Sequence, residues 1–220
     1  MSEDEYNQEY MCSWVASIKW AYYWKEMSEV REQNRITRLP IETHLKVNTF
    51  WDLWINDTMV IWFVQFYWKE IRVIDHYENS WEWFEHYIRL LQSKTYDYEN
   101  HYYPHDIEVK ELQSWISRKD FLIRSWITNI RVVPRVSIQD WIDAVRRVLK
   151  YCYFDENKCY RWIEALTQYH KEYDEKNKIY KSSPKHDWSS NSSDAFRYMA
   201  LSYEDITELK PKTQAFIPNY

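Results

Sequence analysis

The chain has 220 residues, a hydrophobic fraction of 45% and a charged fraction of 29%, which suits one domain with a buried core plus an extension. No run of apolar residues is long enough to cross a bilayer, and the N-terminus, Met1-Ser-Glu-Asp-Glu5, is acidic, so neither a transmembrane helix nor a secretory signal is expected. The net charge of -5 argues against binding nucleic acid by bulk positive charge, although a site that holds divalent cations is itself acidic.

In chain order, residues 3–34 read as helix, with Met11, Val15, Ile18 and Tyr22 at helical spacing. Residues 35–47 read as a linker broken by Pro40. Residues 48–53, 59–67 and 70–77 are rich in Val, Ile, Phe and Trp and read as three strands of an antiparallel meander. Asn56-Asp57 and Trp68-Lys69 mark the turns between them. Residues 80–93 read as a helix capped by Ser80, with Phe84, Tyr87, Ile88 and Leu91 on one face. A fourth strand, 101–104, leads into His105-Asp106. A short helix over 117–124 and a fifth strand over 130–133 follow. Residues 137–149 form a helix opened by Ser137 and Asp140 in a capping-box pattern, and 157–169 form another. Residues 172–181 look like a charged hairpin turning at Glu175-Lys176-Asn177. A last helix, capped by Ser190 or Ser192, runs to Tyr203, and the tail from Lys210 is irregular. This order predicts a mixed α/β sheet flanked by helices.

Cys12, Cys152 and Cys159 form no Cys-x-x-Cys pair, which points to reduced thiols and against zinc. Three acids have placements suited to divalent-metal chemistry, which needs carboxylates converging from different elements. Asp52 interrupts the apolar strand Thr49-Phe-Trp-Asp-Leu-Trp54. Asp106 ends His101-Tyr-Tyr-Pro-His-Asp106. Asp194 falls in the first turn of the last helix. Placement alone is a weak signal in a chain with 34 acids.

The local sequences are more specific. Phe50-Trp-Asp-Leu-Trp-Ile-Asn-Asp-Thr-Met-Val-Ile-Trp62 resembles the first-strand motif of phage large-terminase nuclease domains. Ile74-Asp-His-Tyr-Glu-Asn-Ser80 resembles the family's third strand and Tyr103-Pro-His-Asp106 its second acidic motif. Pro184-Lys-His-Asp-Trp-Ser-Ser-Asn-Ser-Ser-Asp-Ala-Phe-Arg-Tyr198 resembles the third. The likeness runs from about Glu9 to Tyr203.

The resemblance implies a ribonuclease-H-like fold over 48–204, a helical extension and linker over 1–47 joining motor to nuclease, and a tail over 205–220. It implies a two-metal endonuclease that cuts concatemeric phage DNA during packaging. Asp52, Asp106 and Asp194 would be catalytic and would bind two Mg²⁺ or Mn²⁺ ions. Asp57 and His105 would be auxiliary, and Asp75 structural or peripheral. His186 would be a hydrogen-bonded neighbour, and the hairpin over 174–180 would protrude beside the site. Arg146, Arg147 and Lys150 are weaker candidates for phosphate contacts. The implied partners are double-stranded DNA, the ATPase motor, the small terminase subunit and the portal, in the cytoplasm of the host cell. No Gly-rich phosphate loop is present, so the chain is expected to be the C-terminal portion without ATPase activity.

The chain has no glycine, with 14 tryptophans and 20 tyrosines; average usage would give roughly 15 glycines. Where the family pattern has glycine, this sequence carries Trp20, Trp24, Trp54, Trp68, Trp81, Trp83, Trp115, Trp126, Trp141 and Trp162, with Asn34, Gln113 and Ser192 at other such positions. Trp51, Trp62 and Trp188 fit the motifs as they stand. A tryptophan held at positive φ is strained by roughly 1–2 kcal/mol, and its indole needs space in a packed interior. Trp54 is the worst placed for function, two residues after Asp52, and Asn191 stands where the third motif has histidine. Deliberate glycine removal, a reassigned codon and drift are the candidate origins. Two further readings follow: a catalytically impaired DNA-binding or portal-docking module, and a glycine-free engineered variant of the nuclease domain.

Overall fold

The structure, a computed structural model, describes residues 20–53, 58–109 and 117–209. Among these, a seven-stranded mixed sheet is flanked by six helices. Helix α1 is Trp24–Glu32, followed by β1 (Ile36–Thr37), β2 (Val47–Asp52), β3 (Thr58–Tyr67), β4 (Glu70–Ser80), α2 (Phe84–Ser93) and β5 (Tyr98–Tyr103). A 3₁₀ turn, His105–Glu108, leads on to α3 (Arg118–Arg124), β6 (Ile130–Val132), α4 (Ile138–Leu149), β7 (Cys152–Asp155) and α5 (Tyr160–Gln168). The hairpin β8 (Lys171–Asp174) and β9 (Ile179–Pro184) precedes α6 (Ser190–Leu209).

The sheet order is β1-β7-β4-β3-β2-β5-β6. Strands β2, β3 and β4 form the predicted antiparallel meander. Strand β5 runs parallel to β2, and β6 parallel to β5. Because side chains alternate along a strand, β3 divides its apolar residues between two cores. Val60, Trp62, Val64 and Phe66 face α1, α4, α5 and α6. Ile61 and Phe63 face the side of α2 and α3, where Tyr87, Ile88, Leu91 and Leu122 pack. A sheet covered on both faces explains the near-continuous apolar run of β3. The Trp62 indole donates to the Ser192 carbonyl at 2.9 Å, which fixes α6 across the sheet.

Several elements differ from the sequence reading. Ser80 does not cap a helix. It ends β4, where its hydroxyl meets Thr58 at 2.8 Å, and α2 starts at Phe84. Two short strands add to those expected. β1 lies inside the expected linker, and β7 occupies the gap before the expected helix 157–169, which begins at Tyr160. β7 completes the sheet by pairing parallel with β4 and β1. Of the expected N-terminal helix, residues 1–19 lie outside the described residues, and 21–23 are not helical, Ala21 bridging to His170, so the helix covers only Trp24–Glu32; Tyr22, Tyr23, Met27 and Val30 belong to the core. Ser190 is already helical and Ser192 lies inside α6 rather than at its cap, and the helix runs past Tyr203 to Leu209.

Of the expected caps, the one at Ser137 forms, and Ser117 adds one beyond those expected. Ser137 accepts from the Asp140 amide at 3.2 Å, and Ser117 with Asp120 forms a full capping box at α3. The hairpin is present. The Asp174 carboxylate accepts from the backbone amides of Lys176 and Asn177 and from the Asn177 side chain, which builds its turn. Positive φ occurs at Asn34, Trp68, Trp81, Trp126 and Lys178, between 53° and 69°. Four of these, all but Lys178, are positions where the resemblance implies glycine. By contrast, Trp141 and Trp162 lie buried in α4 and α5.

Candidate active site

The register of β2 and β5 decides the site. Phe50 pairs with Tyr102 in parallel, so both strands end on the same edge of the sheet. Asp52 is the last residue of β2 and is buried. Asp106 lies beyond the end of β5, in the 3₁₀ turn rather than in the strand; Pro104, with φ −63°, sets the exit of the chain. Both acids line a cleft of about 650 Å³, together with His105, Arg118, Arg135, Trp141, Arg197 and Tyr198.

The Asp106 Oδ1 atom is buried and accepts no hydrogen bond from the described residues. A buried carboxylate oxygen without a donor is costly unless something positive faces it.

Asp194 is placed differently. It sits in the second turn of α6, not the first, and it is absent from the cleft lining. Its Oδ1 accepts from Arg197 Nη1 at 3.0 Å and from the Tyr169 hydroxyl at 3.3 Å. Burial pushes the Asp194 carboxyl above the usual carboxylate range, while Arg197, Tyr169 and His186 pull the other way. Burial alone would lower the pKa of Arg197. Asp194, Tyr198 and Asp52 outweigh it, so the guanidinium is held firmly charged. Arg197 thus binds the helix-borne Asp194 and also feels the charge of the strand-borne Asp52. Among the described residues, no three His, Cys, Asp or Glu side chains are grouped so as to hold a metal ion.

The other candidates separate cleanly. His105 lines the cleft. Asp57 and Trp54 lie outside the described residues. Asp75 is structural: it takes hydrogen bonds from Lys94 at 2.5 Å, Tyr96 at 2.8 Å and the His76 amide. His186 meets the Ser190 hydroxyl at 3.0 Å. Arg146, Arg147 and Lys150 do not line the cleft; Arg146 binds the Tyr22 carbonyl and Asp143, and Lys150 lies over Tyr151. The positive charge of the cleft comes instead from Arg118, Arg135 and Arg197, which sequence reasoning missed. Arg197 has a usable signal, three residues after Asp194 on a helix. Arg118 and Arg135 have none.

No protein-family model matches the sequence, and no curated protein matches it. Solved structures do. The P22 large terminase nuclease domain superposes with a TM-score of 0.58 at 14% identity, over 78% of this chain and 89% of that one. The large terminase of a thermophilic bacteriophage gives 0.56 at 15% identity, over 78% of this chain and 43% of that one. The large terminase nuclease domain of bacteriophage SPP1 with bound Mn gives 0.52 at 13%, over 73% and 86%. The chain thus spans less than half of the thermophilic phage's large terminase and most of the two nuclease domains. Its fold, a mixed α/β sheet flanked by helices, is that of these large-terminase nuclease domains. No described helix is long and apolar enough to cross a membrane.

The donor set partly fits a divalent cation. Asp52 and Asp106 offer hard oxygen ligands to one cleft, and the donorless Asp106 oxygen suits a cation. Asp194 fits only if Arg197 releases it.

Proposed function

We propose that this chain is the nuclease portion of a phage DNA-packaging large terminase, a metal-dependent endonuclease that cuts concatemeric double-stranded DNA. The observation that carries this reading is the convergence of Asp52 and Asp106 on one cleft, from neighbouring strand ends of the terminase nuclease fold. Residues 1–47 would lead in from the ATPase motor, with α1 and β1 already packed into the core and sheet of the nuclease domain over 48–204, and α6 would carry the chain to Leu209 before the rest of the 205–220 tail. The small terminase subunit and the portal would be its assembly partners, in the host cytoplasm.

Asp52 and Asp106 would hold two Mg²⁺ or Mn²⁺ ions, with Asp194 completing the set and Asp57 and His105 auxiliary. Bound there, such ions stabilise charge on the attacking and leaving oxygens of a phosphodiester. The rest falls to side chains. Asp52 is held rigid by the β2–β3 ladder, where it pairs with Val60. Arg197 holds positive charge beside the acids while its donors bind Asp194 and the Tyr198 hydroxyl. The test is plasmid nicking in Mn²⁺ or Mg²⁺ beside an Asp52→Ala control. Equal activity in the control sinks the assignment.

A second reading is a module that binds DNA or docks to the portal without cutting. The engagement of Asp194 by Arg197 and Tyr169 favours it. Calorimetric metal binding that depends on Asp52, together with turnover, would exclude it.

A further inference from the structure

We propose that Arg135 is a positioning residue that seats a backbone phosphate of the DNA strand in the cleft shared with Asp52 and Asp106. The proposal rests on the nuclease reading and deepens it. Arg135 lies in the segment between β6 and α4, flanked by Pro134 and Val136, and all three line the cleft. It is exposed, and it makes no hydrogen bond or ion pair among the described residues. Arg118 and Arg197 line the same cleft but are engaged, Arg197 with Asp194 and the Tyr198 hydroxyl. Arg135 is therefore the guanidinium whose donors are open to a ligand. A guanidinium presents a planar fork suited to phosphate oxygens, and phosphate contacts fix the register of a nucleic acid without reading its sequence. In a chain with net charge -5, such placed cations must supply what bulk charge does not.

The test is binding of a short DNA duplex by fluorescence anisotropy without divalent metal, across a salt series, for the unsubstituted chain, Arg135→Ala and Arg135→Lys. Loss of one phosphate contact lowers the salt slope of log affinity by about 1. Arg135→Ala should show that loss and Arg135→Lys should restore it, with melting temperatures unchanged. A slope unaltered in Arg135→Ala overturns the proposal. Nicking by the unsubstituted chain is scored separately, so an unaltered slope in a chain that cuts defeats the Arg135 assignment alone. An unsubstituted chain that does not cut defeats the nuclease reading.

A separate observation carries a second inference. Trp68, Trp81 and Trp126 have φ of 55°, 64° and 69°, and they are 90%, 78% and 88% exposed. Bulky residues with left-handed backbone are genuine outliers, and these indoles bury almost nothing in return. Each site calls for glycine on its own geometry. Trp68 is in the two-residue hairpin between β3 and β4. Trp126 follows α3, where the Ile127 amide reaches back to the Leu122 carbonyl in a helix-ending pattern that favours glycine. Trp81 follows the last residue of β4. A designer removing glycine has Asn or Asp for such turns; tryptophan is among the worst choices. The geometry points to a natural chain with glycine at 68, 81 and 126, made in a cell that decodes as glycine a codon read here as tryptophan.

Thermal unfolding tests the backbone argument. Compared with the sequence as written, Trp68→Gly, Trp81→Gly and Trp126→Gly should each raise the melting temperature by about 2–8 °C. The matching alanine variants remove the indole but keep the Cβ, and should gain less. Alanine variants that match the glycine variants overturn the inference. So does peptide mass spectrometry of the chain from its native host if it finds tryptophan at these positions.

Discussion

The two kinds of acid around this cleft are held by opposite means. Asp52 and Asp106 owe their position to the pairing of β2 with β5 and line the cleft itself. Asp194 rides on α6 and is countered by Arg197, one turn further along the same helix. A strand end can present a carboxylate to a cleft and to cations. A helix packed over a sheet leaves its acid half-buried, away from the cleft, and supplies its counter-charge from the next turn. Charge at the site is thus divided between a cleft-facing side and a countered side.

The sharpest way to break this comparison is to remove one side at a time. Asp52→Ala should lower nicking by at least about a hundredfold, on the scale of several kcal/mol that metal-held charge supplies, with little change in unfolding by urea. Arg197→Ala should act the other way. It leaves the half-buried Asp194 without its cation and should cost about 3 kcal/mol of stability, read from urea midpoints. Should Arg197→Ala leave stability intact, the contrast between the two sides collapses.

A pH titration probes the seam beneath the cleft-facing side. His101 on β5 meets the Thr49 hydroxyl on β2 at 2.7 Å, and burial lowers its pKa from 6.5 to about 4. The unfolded chain therefore binds the proton more readily between these values. Stability should be full above pH 6.5 and fall as pH drops towards 4, by about 3 kcal/mol. His101→Gln should flatten that limb of a stability-against-pH curve. The smallest effect belongs to Tyr169→Phe. It removes one hydrogen bond to Asp194 while Arg197 remains, and should cost about 0.5–1.5 kcal/mol by the same urea assay.

Much of the fold is legible in the sequence. The meander announces itself through long apolar runs, and α4 through Ser137 with Asp140. What escapes is short and non-local. β7 has four residues shortly after a helix, and its partners lie far away in sequence, so no periodicity marks it. Ser80 reads as a cap because serine favours caps, but its hydroxyl finds a cross-strand partner instead. At the site, Asp52 and Asp106 are readable because each sits in its own motif. Asp194 also sits in one, but its engagement with Arg197 and Tyr169 depends on packing that no local pattern encodes. The cleft position of Arg118 and Arg135 likewise depends on how α3 and the β6–α4 segment fold over the sheet.

The ends of the sheet carry one more consequence. Its outermost strands, β1 and β6, have two and three residues, while the ten-residue β3 lies safely in the middle. A neighbouring molecule seeking an open row of amides and carbonyls finds only a few rungs at either border. Many copies can then crowd together without stitching their sheets into one, despite a sequence so rich in the aromatic and branched residues that strands prefer.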